Sequence, residues 1–238
     1  MAEQRQPLYD GVVALQPQYI QQPSELERYE HITGNTSLSY LITKRVIDII
    51  GSLFFLVLFS PIFLITAIAI KIEDPRGKII YHSTRIGKDQ VPFDFPKFRS
   101  MIADADIVKS KILAMNEKDG PIFKIKNDPR ITKVGHFIRK YSIDELPQLI
   151  CVLAGKMSLV GPRPPMPEEV LKYTEYEQQR LAVTPGLSCV WQISGRSELS
   201  FEQWMELDLE YIKNQNIVND IKILIKTPIA VLRPRGAY

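Results

Sequence analysis

The sequence predicts a mostly helical α+β protein with short strands, built on a membrane helix kinked at Ser60-Pro61. Three observations carry that prediction. Residues 49–70, IIGSLFFLVLFSPIFLITAIAI, form a run of 22 residues without a charge. At about 1.5 Å per residue the run reaches across a hydrocarbon core of roughly 30 Å. Apolar residues recur at helical spacing at Val134, Phe137, Ile138 and Tyr141, and again at Phe201, Trp204, Leu207 and Tyr211. Two short runs, 78–87 and 93–101, have strand composition and flank a turn at Lys88-Asp89.

From the start of the chain, residues 1–40 are polar, with Pro7, Pro17 and Pro23 and many glutamines, and read as a flexible tail without a secretory signal. In the apolar run, Pro61 deletes a helical hydrogen bond and Ser60 can satisfy a freed carbonyl, so a kink is expected there. Lys44 and Arg45 precede the run, while Lys71, Arg76 and Lys78 follow it. Basic flanks on both sides give no orientation for a span. A proline-kinked single span and a hairpin returning to the same face therefore both remain open. After the two strands, Val108, Ile112 and Met115 mark a helix, and Val134 to Tyr141 mark a second.

That second helix leads into RKYSIDELPQL, residues 139–149, where Asp144 and Glu145 stand side by side. Ser142 and Glu145 fit a capping box, and acids in a first turn complement the helix dipole. Leu146, Leu149, Ile150 and Leu153 then predict a buried amphipathic helix running to about Gly155. Pro147 fits this poorly, since proline prefers the first helical position. Capping and chemistry both remain open for the pair. Residues 157–167, MSLVGPRPPMP, read as a rigid proline loop presenting Arg163. Residues 168–183 read as helix, 184–197 as an irregular loop and 201–214 as helix. Residues 218–232 read as either an interfacial amphipathic helix with snorkelling lysines or an ordinary docking helix.

Lys plus Arg total 30 against 27 Asp plus Glu, so the net charge of +3 says little. The distribution says more. Arg76, Lys78, Arg85, Lys88, Lys97 and Arg99 cluster in one stretch; Lys124, Lys126, Arg130, Lys133, Arg139 and Lys140 cluster in another. Anionic partners or two solvated faces would each account for this. Cys151 and Cys189 lack metal-type spacing and read as buried thiols in a reducing compartment. The absence of a Walker loop or G-x-G-x-x-G argues against an ordinary nucleotide fold. Basic residues without interleaved aromatics or a binding motif argue against nucleic acid.

Taken together, the motifs resemble the bacterial sugar transferases, the monotopic phosphoglycosyl transferases that start glycan assembly on polyprenyl phosphate. They are the apolar helix with Ser60-Pro61, KFRSM at 97–101, DPRITKVGHFIRKYSIDELPQL at 128–149, MSLVGPRP at 157–164 and LDLEYIKN at 207–214. Each is weak alone, and in this order and spacing they are specific. The resemblance implies a re-entrant helix at 41–76, a catalytic domain at 77–238 on the cytoplasmic face of the bacterial inner membrane, and the 1–40 tail outside both. It also implies the reaction of a UDP-sugar with undecaprenyl phosphate to give polyprenyl-diphospho-sugar and UMP, opening exopolysaccharide, capsule or O-antigen synthesis. Asp144 would be the nucleophile and Glu145 would assist proton transfer.

Independent chemical reasoning fits those roles. A carboxylate attacking a phosphoryl group needs charge neutralisation and positioning. Asp144 and Glu145 could share Mg²⁺ with substrate phosphates, and Lys97, Arg99, Arg139 and Arg163 are the candidate phosphate ligands. Gly161, Pro162, Pro164, Gln192 and Arg196 are assigned to a nucleotide-sugar loop. The chain has Thr184-Pro185-Gly186 and Cys189-Val190-Trp191-Gln192 where members often have RPG and GWAQ. That leaves a basic contact near 184 open and ties the loop to the choice of sugar. Residues 116–130 resemble the hexose-1-phosphate branch, a hint of UDP-glucose or UDP-galactose. Longer members carry a multi-span N-terminal region, which makes this chain read as a compact form. A homodimer and hand-over to downstream glycosyltransferases complete the expected partners. Two alternatives stand beside this reading: a UDP-releasing glycosyltransferase, and a non-catalytic basic module anchored to membrane lipids.

Overall fold

The computed structural model describes residues 31–105, 107, 125, 128–195 and 198–232. The helix expected around Val108 and Met115, the hexose-branch hint in 116–130 apart from its last few residues, and Arg196 lie outside that set. The described fold is mostly helical α+β with two two-stranded sheets.

The apolar run forms two helices, α1 (Leu38–Leu58) and α2 (Ser60–Glu73), bent by 57° at Phe59. Pro61 falls in the first turn of α2, where its missing N–H is not needed. Ser60 Oγ donates to the Val57 carbonyl at 2.8 Å, as the Ser-Pro pair predicts. Among the described residues no single helix is long and apolar enough to cross a membrane; only the bent pair qualifies. Around the bend Phe54, Val57, Leu58, Leu64 and Ile65 are exposed.

Both ends of the pair are docked on the domain that follows. At the near end Arg45 donates to the carbonyls of Val152 and Leu153, each at 2.6 Å. Asp48 accepts from Ser158 Oγ at 2.9 Å and Leu159 N at 2.8 Å. At the far end Glu73 accepts from the backbone N–H groups of Lys133 and Val134, at 2.7 and 2.9 Å. Asp74 pairs with Arg99, while Ile70, Phe98 and Ile138 form a small apolar cluster with Phe63 against it.

The hairpin of β1 (Ile80–Ile86) and β2 (Pro92–Phe98) is antiparallel. Its register pairs Tyr81 with Lys97, Ser83 with Phe95 and Arg85 with Phe93, so these six share one face. Helix α3 (Lys133–Lys140) follows, capped by Thr132. The acid pair then departs from the expected amphipathic helix. A 3₁₀ turn, Ile143–Gln148, precedes a short α4 (Leu149–Leu153). The tighter 3₁₀ winding shifts the phase, so Ile150 is exposed while Leu149, Cys151 and Val152 are buried.

Strand β3 (Ser158–Val160) pairs in parallel with β4 (Gly186–Ser188). The single helix expected over 168–183 is instead α5 (Pro167–Val170), α6 (Glu175–Gln178) and a 3₁₀ turn, Gln179–Ala182. The physical reason is a capping box at Thr174 and Glu177, which restarts the chain in mid-segment. The 184–197 segment, expected to be irregular, holds β4 and α7 (Val190–Ser194). Helix α8 (Phe201–Lys213) buries Trp204, Asp208, Leu209 and Ile212. Helix α9 (Ile217–Leu232) buries Ile223 but exposes Val218, Ile221, Ile225, Ile229 and Leu232 along one side. The main core joins Phe93, Phe95, Leu149, Val152, Leu159, Val183, Leu209 and Ile212, with Ile32 packed into it.

Candidate active site

The acid pair is built by the turn that carries it. Ser142 is left-handed, with φ 54° and ψ 22°, and makes no side-chain cap; the capping box read from Ser142 and Glu145 does not form. A non-glycine residue in this region is strained. The left-handed step follows α3 and turns the chain, and Asp144 and Glu145 then meet Lys97 of β2. Asp144 is buried and Glu145 half-buried.

Lys97 projects from β2 onto this pair. Its Nζ lies 2.8 Å from Glu145 Oε1 and 3.9 Å from Asp144 Oδ2. Gln192 Nε2 donates to Glu145 Oε2 at 3.4 Å from the opposite side. Glu145 is therefore held, whereas the Asp144 carboxylate takes no hydrogen bond from the described residues. Burial pushes the Asp144 carboxyl up to about 6, the Lys97 charge partly offsets this, and the neighbouring Glu145 charge adds to it. Arg139 and Arg163 are near enough to oppose the rise as well. Two adjacent acids with unequal environments are a common basis for dividing chemical roles.

Arg163 stands in the proline loop after β3, with its guanidinium 5.8 Å above the Trp191 ring. Trp191 stacks on Trp204 at 5.0 Å, and Arg180 lies 5.0 Å beyond that ring. The four side chains thus form one continuous stack from the site into the core. Arg180 is fully buried and paired with Asp208.

The sequence-derived candidates divide as follows. Asp144, Glu145, Lys97, Arg163 and Gln192 come together, with Arg139 at the edge. Arg99 is turned away: it pairs with Asp74 and donates through Nε to the Lys78 carbonyl at 2.7 Å. Gly161, Pro162 and Pro164 lie in the loop below Arg163. A Cβ on Gly186 would come within 2.0 Å of Gly161 N, so these glycines serve close backbone contact across β3 and β4. Ser60 and Pro61 stand at the helix break.

Sequence reasoning missed Phe95, Arg85 and the Arg180–Asp208 pair. Phe95 lies under both cations of the hairpin face, 5.3 Å from Lys97 Nζ and 5.1 Å from Arg85 Cζ. Strand alternation across the hairpin could have placed Arg85 on the same face as Lys97, with Phe95 between them. As a metal site, Asp144 and Glu145 offer two carboxylates, one of them without a hydrogen bond from the described residues, which fits Mg²⁺ shared with substrate phosphates. No group of three potential ligands occurs among the described residues.

An acid pair, one member buried and one half-buried, held by Lys97 and within electrostatic reach of Arg139 and Arg163, is a site suited to phosphate anions. A profile described as bacterial sugar transferase matches residues 39–234, and the chain belongs to that family. It is 44% identical over 202 residues to the galactosyl transferase CpsE of Streptococcus agalactiae, covering 84% of this chain and 44% of that protein. It is 43% identical to the undecaprenyl-phosphate galactose phosphotransferase of Salmonella typhimurium, over 82% of this chain and 41% of that protein. With the exopolysaccharide production protein ExoY of Rhizobium meliloti it shares 38% identity over 83% of this chain and 88% of that protein. The chain thus spans less than half the length of the first two relatives and most of ExoY.

Proposed function

We propose that this chain transfers a sugar 1-phosphate from a UDP-sugar, a UDP-hexose, to undecaprenyl phosphate and releases UMP. The observation that carries the proposal is Asp144: a buried carboxylate that takes no hydrogen bond from the described residues, beside a Lys97-held Glu145 and within electrostatic reach of Arg163. In the first step an Asp144 carboxylate oxygen attacks the sugar-bearing phosphorus. The bond from that phosphorus to the UMP oxygen breaks, and UMP leaves with the electron pair. In the second step a phosphate oxygen of the lipid attacks the same phosphorus and displaces Asp144. Lys97 and Arg163 neutralise and orient the phosphates, with Arg139 at the rim. Glu145, fixed by Lys97 and Gln192, manages the proton of the incoming phosphate. Mg²⁺, held by Asp144 and Glu145, would supply further charge neutralisation at the phosphates.

The membrane reading rests on the docked ends of the bent pair. Arg45 and Asp48 at one end and Glu73 and Asp74 at the other bind one domain. A hairpin entering and leaving by the same face satisfies both; a straight span satisfies one. The exposed apolar side of α9, with Lys222 and Lys226 beside it, supports an interfacial position. We place the domain, 77–238, on the cytoplasmic face of the inner membrane, with 41–76 inserted, at the opening of exopolysaccharide, capsule or O-antigen synthesis.

The test is detergent-purified protein with Mg²⁺, undecaprenyl phosphate and a panel of UDP-sugars, resolving UMP from UDP. Multiple-turnover UMP release that requires the lipid, beyond the single equivalent freed in the first step, and its loss in Asp144→Asn without unfolding are the expected result. Release of UDP, or full activity in Asp144→Asn, would overturn the mechanism.

A further inference from the structure

The loop that presents Arg163 is anchored in an unusual way. Pro162, Pro164, Pro165 and Pro167 have no N–H, so the segment can be held chiefly through its carbonyls. Four consecutive carbonyls each accept a hydrogen bond. Gly186 N binds Pro162 O at 2.8 Å and Arg180 Nη2 binds Arg163 O at 2.9 Å. Arg85 Nη1 binds Pro164 O at 3.3 Å and Ile86 N binds Pro165 O at 3.0 Å. Two of these donors are backbone amides and two are guanidinium groups.

The two guanidinium groups differ. Arg180 is neutralised by Asp208. Arg85 is buried to 5% exposure, has no carboxylate within 4.0 Å among the described residues, and leaves Nε without a partner. Burial lowers its pKa to about 10, and the Arg163 charge adds to the fall. An uncompensated buried cation weakens a fold. Holding a single carbonyl needs no charge, as Gly186 N and Ile86 N demonstrate on either side. The charge must therefore serve something else in its neighbourhood, which holds Arg163, whose charge opposes it, Glu169 and Glu145, whose charges favour it without touching it, and the Phe95 ring shared with Lys97.

We propose that Arg85 is a positioning residue for phosphoryl transfer: it fixes the Pro164 carbonyl so that Arg163 is presented to the acid pair, and adds positive potential behind it. The inference rests on the reading of Arg163 as a phosphate ligand. With the substrate phosphates in place, two cations that repel each other in the free protein face a shared anion. Their mutual repulsion is then offset by that anion.

The experiment compares wild type, Arg85→Met, Arg163→Ala and the double variant, in the full chain in detergent. Thermal unfolding is read beside kcat/KM for UDP-galactose or UDP-glucose, whichever the wild type consumes. Arg85→Met is expected to unfold at the wild-type temperature or higher, because it replaces an unpaired buried cation with an apolar chain of similar length. Its kcat/KM should fall about ten- to a hundredfold, the scale of a small misplacement at a reacting centre. In the Arg163→Ala background the same change should add little, since both act through one group. Wild-type kcat/KM in Arg85→Met, a loss that follows a lowered unfolding temperature, or losses that multiply in the double variant would each overturn the proposal. Should Arg85→Met not fold, Arg85→Gln carries the test, since it keeps a neutral donor for the carbonyl and removes the charge; wild-type kcat/KM there would also overturn it. An unimpaired Arg163→Ala would instead overturn the underlying reading of Arg163.

Discussion

Replacing Asp144 with asparagine removes a carboxylate that the fold holds at a disadvantage. Its carboxyl is raised from 3.8 to about 6, chiefly by burial. Because the folded pKa lies above the unfolded one, the native state binds the proton more tightly. Stability is therefore lost as pH rises from about 4 to about 6, and the deficit is complete above that window. At about 1.36 kcal/mol per pKa unit the deficit is about 3 kcal/mol. Asparagine has no such titration and a similar shape, and Lys97 retains Glu145 at 2.8 Å. The variant should match wild type near pH 4 and be more stable near pH 8. For a chain of this size that gain corresponds to roughly 6–12 °C in unfolding temperature. The assay is thermal unfolding of the metal-free protein across pH 4 to 8 at one scan rate. A difference that does not vary with pH, or an asparagine variant less stable at pH 8, would refute the reasoning.

Other perturbations test separate parts of the architecture. Arg99→Ala should destabilise the fold by about 2 kcal/mol, through lost charge-assisted bonds to Asp74 and Lys78, while kcat/KM of the folded fraction stays at the wild-type value; urea unfolding and steady-state kinetics check this. Gly186→Ala drives a Cβ to 2.0 Å from Gly161 N, so a loss above about 3 kcal/mol or failure to fold is expected by circular dichroism. Ser142→Val should destabilise by about 1–2 kcal/mol and Ser142→Gly should not, because only the valine resists the left-handed backbone. Ser60→Leu with Pro61→Ala should straighten the bend, and cysteine accessibility at the chain start should then move to the opposite side of the membrane; unchanged labelling would show that the docked ends alone maintain the hairpin.

Much of this was legible in the chain and some was not, for identifiable reasons. Strand composition around a turn discloses the β1–β2 hairpin, and helical spacing of apolar residues discloses α3, α8 and α9, because each helix buries one face. Ser60-Pro61 discloses the bend because proline's constraint is local. The winding at Asp144 is not legible, since Ser142 and Glu145 spell a capping box while Ser142 takes a left-handed backbone that serine seldom adopts. At 168–183 the signal was present in Thr174 and Glu177 and was overlooked beneath a helical composition. The gathering of Lys97 and Gln192 around Glu145 depends on contacts across 47 residues and more, which spacing cannot encode. Arg99 exposes the same limit from the other side: a basic residue two positions from Lys97 was expected beside it. Strand geometry does place them on one face, yet Arg99 lies just past the end of β2, where Asp74 captures it.

The two docked ends of the bent helix pair also make it a measured part. Between Asp48 and Glu73 the chain leaves the domain and returns to fixed addresses, Ser158 and Leu159 at one end and the N-terminus of α3 at the other. Substitutions around the bend alter what the lipid meets and leave those addresses intact. One added residue within α1 would instead turn everything beyond it by about 100° and advance it by about 1.5 Å, so that one end could dock only at the other's expense. In this hairpin composition can drift while length is counted in whole helical turns.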